Sequence, residues 1–222
     1  MATVICVDGP AASGKSTVSK AVAERTGRLY VDSGALYRIV TWQALEAGVD
    51  TATPEAVADF VRGVTVDFVV KGSRVAYEVG GVEPGDCIRT PEINRHVSPV
   101  SAVPAVRERV TGWLRDMRRL GDLIVEGRDI GSVVYPDSPW RFYLDADPEE
   151  RARRRLAEDV AKGFAEKGAR EQVKASLLNR DKIDSSRKTA PLVIPPGATR
   201  IDTTSMTIDD VVNFIITAVA GD

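Results

Sequence analysis

Apolar and polar positions alternate between two periods along this chain. Short β-branched runs at 3–8, 28–32, 122–126 and 140–144 read as buried strands, and stretches of helical spacing separate them. Thr3-Val-Ile-Cys-Val-Asp8 is the first strand, and Val18, Ala21, Val22 and Arg25 then recur at the spacing of one helix face. Leu123-Ile-Val-Glu126 and Arg141-Phe-Tyr-Leu-Asp145 are later strands. Asp147-Pro148-Glu149-Glu150 has the order of a helix entry, with Asp as N-cap and Pro at the first position. A last strand near 199–202 and a helix from about 207 to 220 close the series. Thr207 is its predicted cap, and Ile208, Val211, Val212, Ile215 and Val219 draw its buried stripe. Pro104 to Leu120 predicts another helix. This alternation implies an α/β fold, a three-layer α/β/α domain built on a parallel sheet.

Residues 64–83 break the alternation. Val64–Val70 and Arg74–Val79 flank Lys71-Gly-Ser73 as a hairpin, and a short third strand can follow Gly80-Gly81. The segment reads as a small antiparallel β insert that holds a substrate. The stretch 151–172 is the most polar part of the chain. Arg151, Arg153, Arg154 and Arg155 precede Lys162-Gly163-Phe164 and Lys167-Gly168-Ala169-Arg170. Such a run is either a solvated helix face or a short helical lid over phosphates, and the sequence leaves both open.

Composition excludes more than it assigns. The chain has 222 residues, 43% hydrophobic and 28% charged, which is ordinary for a globular protein with a full core. Its net charge of −2 gives no sequence-independent grip on nucleic acid. Its basic residues are 22 Arg and 8 Lys, and Arg suits bidentate contact with phosphate as well as reflecting genome bias. Cys6 and Cys87 have no metal or redox spacing, and Cys6 reads as core. With no signal-like or membrane-length apolar run in view, the expected compartment is the cytoplasm.

The chemistry enters between the first strand and the first helix. Gly9-Pro10-Ala11-Ala12-Ser13-Gly14-Lys15-Ser16-Thr17 is a complete G-x-x-x-x-G-K-[ST] P-loop. Backbone N–H groups of such a loop wrap phosphate, and the helix start favours the anion. Lys15 reaches the β- and γ-phosphates and the Ser16 hydroxyl ligates Mg²⁺. The chain therefore binds ATP or a related triphosphate. It has no Asn-Lys-x-Asp guanine reader and no Leu-Ser-Gly-Gly-Gln transporter signature. An inserted hairpin and a basic arm lean towards a small-acceptor kinase.

Three further segments carry a family resemblance. Asp32-Ser-Gly-Ala-Leu-Tyr-Arg38 and Glu126-Gly-Arg-Asp-Ile-Gly131 each end a strand, at the carboxyl edge where open α/β sheets bind ligands. Arg180-Asp-Lys-Ile-Asp-Ser-Ser-Arg187 runs into Lys188-Thr-Ala-Pro-Leu192. With the P-loop, these segments closely resemble the bacterial cytidylate kinases over nearly the whole chain, in the same order. The Asp-Gly-Phe-Pro-Arg segment of adenylate kinases is missing. The resemblance implies a phosphotransferase that carries the γ-phosphoryl of MgATP to CMP or dCMP. It implies a monophosphate-binding insert at about 38–110, a lid at about 151–172 and a monomer that meets neither membrane nor nucleic acid.

By the same resemblance, Ser33, Arg38, Arg128 and Arg187 match positions that hold the acceptor phosphate. Ser98, Arg107 and Asp129 match positions around the cytosine, and Arg180 and Asp184 those near the ribose. Lys15, Arg128, Arg180 and Arg187 are then the catalytic charges. Some relatives have Arg before the ribose Asp, where this chain has Ile183. A phosphate monoester with its second pKa near 6 is largely dianionic at neutral pH and needs no general base, so one histidine, His96, is no obstacle. The difficulty is bringing two polyanions together in line, which cations solve.

Each residue has a plainer alternative: an ion pair on its own helix for Arg38, a structural ion pair for Arg128 and the cap of the next turn for Asp129. For Ser98 the alternative is a turn residue before Pro99, and for Arg107 a solvated helix position. Tyr37 is packing, His96 an ordinary surface or interface residue, and Glu126 serves either a metal-bound water or loop geometry. The competing functional readings are another small-acceptor P-loop kinase and a nucleotide-dependent binding switch.

Overall fold

The computed structural model describes residues 2–166 and 168–221, so Lys167 of the expected lid lies outside the described residues. The chain divides into two compact units. One runs from the amino end to Val4 and over Ala23–Val125, and the other comprises Ile5–Val22 and Glu126 to the carboxyl end. Among the described residues the strand pairings within each unit are mostly parallel, so the α/β class read from the sequence is the observed one.

In the first unit, β2 (Leu29–Asp32) pairs in parallel with β4 (Arg74–Glu78), which pairs antiparallel with β3 (Asp67–Lys71). The β3–β4 register runs from Asp67↔Glu78 to Lys71↔Arg74, and Gly72 supplies the positive φ, +59°, of the two-residue turn. The hairpin is therefore joined to the sheet through Tyr30↔Arg74 rather than forming a separate β unit. The third strand does not form. Val79 and Val82 make an isolated bridge around Gly80-Gly81, and a 3₁₀ turn follows at Gly85–Arg89. Pro84 has no N–H to extend a ladder, which ends the pairing there.

The same unit carries α2 (Ser33–Glu46), α3 (Pro54–Val61), α4 (Pro91–Ala102) and α5 (Pro104–Asp116). Leu36, Ile39 and Ala44 of α2, Val57 of α3, Val97 and Val100 of α4 and Val106 and Val110 of α5 are fully or almost fully buried. The predicted helix from Pro104 is α5, which ends in a 3₁₀ turn over Met117–Leu120. Ser98-Pro99 is not a turn. Both residues lie inside α4, which Thr90 opens by accepting from the Ile93 N–H at 3.3 Å. The fixed φ of Pro99 is compatible with a helix, at the expense of one backbone hydrogen bond.

In the second unit β1 (Val4–Asp8), from Ile5 onward, pairs in parallel with β6 (Trp140–Asp145), and β6 with β7 (Thr199–Asp202). Every residue of β1 is buried, as its unbroken apolar run requires. Helix α1 (Lys15–Thr26) follows β1, and β5 (Leu123–Gly127) leads into the loop that begins with Arg128. Asp147 caps α6 (Pro148–Ala161), accepting from the Glu149 N–H at 2.7 Å. Thr207 and Asp210 form a reciprocal capping box on α8 (Ile208–Ala220). Val211, Val212 and Ile215 are buried as predicted, but Ile208 is 52% exposed and leaves the stripe. Helix α7 (Arg170–Ser186) completes the unit.

The basic stretch 151–172 resolves into the body of α6, a connection and the start of α7. Its arginines have carboxylates of their own. Arg153 and Arg154 pair with Glu150 at 2.7 and 2.8 Å, Arg155 with Asp159 at 3.0 Å, and Arg151 with Asp181 at 2.5 Å. Glu149 takes both Arg170 and Lys174.

Candidate functional site

Glycine is forced at the entry to the P-loop. A Cβ on Gly9, which has φ +145°, would lie 2.0 Å from the Leu144 carbonyl oxygen of β6. Gly14 takes φ +91°, and between them Ala12 takes φ +60°, a conformation few residues with a side chain adopt. The loop carbonyls have partners. Lys15 Nζ donates to Pro10 O at 2.6 Å, Arg151 to Ala11 O at 3.3 Å and Thr203 Oγ1 to Ser13 O at 3.1 Å. A trans peptide points its N–H opposite to its C=O, so tying these carbonyls turns the next amides the other way. The result is a cradle of N–H groups at the start of α1, suited to an anion.

Charge is concentrated beside that cradle. Lys15 is 5% exposed, and burial with the nearby Arg128 holds its ammonium well below the ordinary lysine range. Asp8, fully buried at the end of β1, accepts from the Ile130 and Gly131 N–H groups, both at 2.8 Å. Burial lifts its carboxyl to about 7 against the pull of those amides and of Lys15. The two bonds fix the loop that carries Arg128 and Asp129. Asp129 is buried, and its backbone carbonyl accepts from Val133 and Val134 while its side chain makes no capping bond. Buried Glu126 draws the Lys15 proton the other way, favouring its charged form.

Three arginines share one carboxylate. Asp184, 1% exposed on α7, pairs with Arg128 at 3.2 Å and with Arg187, and the Arg180 Nε lies 3.9 Å away. Burial and the neighbouring Arg128 bring the Arg180 guanidinium down to about 10. Three guanidiniums thus gather at one buried carboxylate, a grouping of cations of the kind that can meet an anion. All four are residues that the family resemblance singles out. The structure groups them in the unit that also holds the P-loop.

A cavity of 580 Å³ opens in this unit, with Thr17, Arg154, Thr203, Met206, Ile208 and Val211 among its lining residues. Arg154 donates to Thr203 Oγ1 at 3.1 Å and to Thr203 O at 2.7 Å as well as to Glu150, so its guanidinium is held in one plane. A fixed guanidinium plane offers a stacking face for an aromatic ring. Sequence reasoning missed Asp8, Thr203 and this cavity. The hydroxyl run Thr203-Thr204-Ser205 after a strand was the available signal.

The remaining predicted residues lie in the first unit, all buried: Ser33, Arg38, Ser98 and Arg107. Asp32 caps α2 through the Ala35 N–H at 3.0 Å and takes Arg89 at 2.7 Å, which sets the turn that presents Ser33. Arg38 donates to the Ile88 carbonyl at 3.2 Å rather than lying on a solvated face. Arg107 is likewise not solvated. It donates to Ser101 O at 3.1 Å, and its guanidinium carbon lies 5.3 Å from the centre of the Tyr37 ring. His96 is half-buried, with Nδ1 2.7 Å from Thr51 Oγ1.

Comparison with known proteins gives one consistent answer. A sequence model of the family described as cytidylate kinase matches residues 5–221. The cytidylate kinase of Limosilactobacillus reuteri (strain DSM 20016) is 43% identical over 211 residues, 95% of this chain and 92% of its own. That of Mycolicibacterium paratuberculosis (strain ATCC BAA-968 / K-10) is also 43% identical, over 215 residues, 96% of this chain and 92% of its own. A crystal structure of an uncharacterised protein from Eubacterium ventriosum shares the fold, with TM-score 0.54 and 12% identity over 99% of each chain. Matched almost end to end by the family's sequence model and by its curated members, the chain belongs to the cytidylate kinase family.

Proposed function

We propose that this chain transfers the γ-phosphoryl of ATP to the phosphate of CMP or dCMP, giving ADP and the nucleoside diphosphate. The observation that carries the reading is the buried Lys15 beside the P-loop carbonyls, in the unit where Arg128, Arg180 and Arg187 crowd one carboxylate. A kinase that spends ATP works with a divalent cation, here taken as Mg²⁺. Ser16, exposed on the first turn of α1, offers the hard oxygen such an ion prefers. No group of three or more His, Cys, Asp or Glu among the described residues is placed to hold a metal, so the other ligands would be phosphate oxygens and water. Bound there, the ion neutralises charge on the β- and γ-phosphates.

On this reading the residues Gly9 to Thr17 hold the triphosphate and the Arg154–Thr203 wall holds the donor base. Lys15, Arg128, Arg180 and Arg187 screen the charge that builds on the transferring group. Ser33, Arg38, Arg128 and Arg187 hold the acceptor phosphate, and Arg180 and Asp184 serve the ribose. Ser98, Arg107 and Asp129 read the cytosine. The acceptor is already a dianionic nucleophile, so the residues position and screen rather than remove a proton. The segments 38–110 and 151–172 are assigned to the acceptor and to a lid. The chain is taken to act as a monomer in the cytoplasm. Among the described residues no helix is long and apolar enough to cross a membrane.

A coupled ADP-release assay over CMP, dCMP, UMP, AMP and GMP tests the reaction. ADP should appear fastest with CMP or dCMP. ADP formation that ignores the acceptor would sink the kinase reading, and a different preferred acceptor would sink the cytidine assignment. Base choice has its own variant. Cytosine presents the N4 donor where uracil presents the O4 acceptor, so an Asp129 carboxylate accepts from one and repels the other. Asp129→Asn supplies an amide donor for O4, and the CMP:UMP ratio of kcat/KM should fall about ten- to a hundredfold. Equal loss on both acceptors would mean that Asp129 only shapes its loop.

A further inference from the structure

Among the arginines that open α6, Arg151 stands apart. It is 5% exposed, while Arg153 of the same run has 64% of its side chain in solvent. The Arg151 Nε donates to the Ala146 carbonyl at 3.1 Å, before α6 begins. Its Nη1 donates to Asp181 Oδ2 of α7 at 2.5 Å and to the Ala11 carbonyl of the P-loop at 3.3 Å. One planar group therefore ties a turn, a helix and the phosphate loop together. Asp181 Oδ1 is buried with no hydrogen-bond partner among the described residues, so that carboxylate is anchored through its other oxygen.

The loop needs such a tie. Ala12 holds φ +60° without being glycine, and a residue in that region persists where its surroundings over-determine it. Part of the constraint is apolar: Ala11 packs with Ala152 of α6 and Leu177 of α7, and Ala12 and Val173 lie against that cluster. The polar part is the Ala11 carbonyl bond. Because the Ala11–Ala12 peptide is planar and trans, a fixed Ala11 C=O fixes the Ala12 N–H on the opposite side.

We propose that Arg151 is a positioning residue for the P-loop: anchored by Asp181 and the Ala146 carbonyl, it holds the Ala11–Ala12 peptide so that the Ala12 N–H faces the bound phosphates. It acts through the loop backbone instead of on the nucleotide, which separates it from a phosphate-touching lid arginine. The proposal rests on the reading of the loop as the ATP site. It also makes α6 and α7 part of the nucleotide site, since they supply the arginine, its anchor and the apolar seat of Ala11.

Arg151→Lys is the primary test. Its ammonium can meet Asp181, but a point charge lacks the planar fork that reaches both the Ala146 and Ala11 carbonyls. Calorimetric titration with ATP and with inorganic tripolyphosphate separates loop effects from base effects. Both dissociation constants should rise about tenfold in the folded variant, while the KM for CMP at saturating ATP stays within twofold. Asp181→Asn keeps an acceptor oxygen at the anchor and should raise both constants about threefold. A folded Arg151→Lys protein that binds both probes within twofold of wild type overturns the proposal, even if its melting temperature drops. Should that variant not fold, unchanged constants in Asp181→Asn overturn it instead. Wild-type protein that binds neither probe overturns the ATP-site reading and the proposal with it.

Discussion

Lys15→Ala should give a folded protein whose kcat for phosphoryl transfer is lower by about a thousandfold, the upper end of what one directed donor contributes in a water-poor site. Stability should change little. The Lys15 ammonium is buried and already pressed towards neutrality by burial and Arg128, so its removal relieves a cost while losing the bond to Pro10 O. A second signature follows from the same displacement. Bound phosphates favour the ammonium, so ATP binding at a pH between the lowered free-site value and the ordinary 10.5 takes up a proton. ATP affinity should therefore fall as pH rises through that window. Calorimetry at pH 8 in buffers of different ionisation heat reads the uptake directly. Wild-type kcat in a folded Lys15→Ala protein, or proton uptake that survives the substitution, would place Lys15 away from the transferred phosphate.

How much of this was legible beforehand depended on whether the signal was local. The P-loop, its strand and its helix are specified within about twenty-five residues of sequence, and all three stand where the pattern put them. The Asp147 and Thr207 caps are likewise local chemistry. Pairing is not local. The hairpin looked like a separate β unit because nothing in residues 64–83 reveals that β4 adds to β2. Helix α4 was hidden by Ser98-Pro99, a pair that usually marks a turn but here rides inside a helix packed on α2. Ile208 has the right helical spacing for the core, yet the cavity at the head of α8 takes that position.

Burial sorted the arginines in a way that spacing did not. Arg151 to Arg155 read as one basic run, but helical geometry sends Arg151 into the protein and Arg153 and Arg154 to the cavity wall, where Arg153 keeps most of its side chain in solvent. In the sequence Asp8 is only the last residue of a strand. Its role as acceptor for Ile130 and Gly131 depends on a strand and a loop more than a hundred residues apart, which no window of sequence displays. The acceptor-side residues came from family likeness, and the structure adds that all of them are buried or partly buried.

Asp184→Ala should lose both stability and turnover, because one carboxylate answers three guanidiniums. The Asp184 side chain is 1% exposed, those of Arg187 and Arg128 are 8% and 18% exposed, and Arg180 lies at 28%. Removing a buried partner takes the matching charge away from these arginines, at about 3–5 kcal/mol where burial is deep. In a chain of this size that lowers the melting temperature by about 10 °C. The arginines then move apart, and a small displacement of positioning groups lowers kcat/KM about a hundredfold. Inorganic phosphate offers a replacement anion, so it should raise the melting temperature of Asp184→Ala more than that of wild type. Asp184→Asn, which retains acceptor oxygen without charge, should fall between the two. If Asp184 also accepts a ribose 2′-hydroxyl, CMP suffers more than dCMP; equal losses point to the 3′-hydroxyl or to the arginine cluster alone. A folded Asp184→Ala protein with wild-type melting temperature and kcat/KM would show that the three arginines do not depend on this carboxylate.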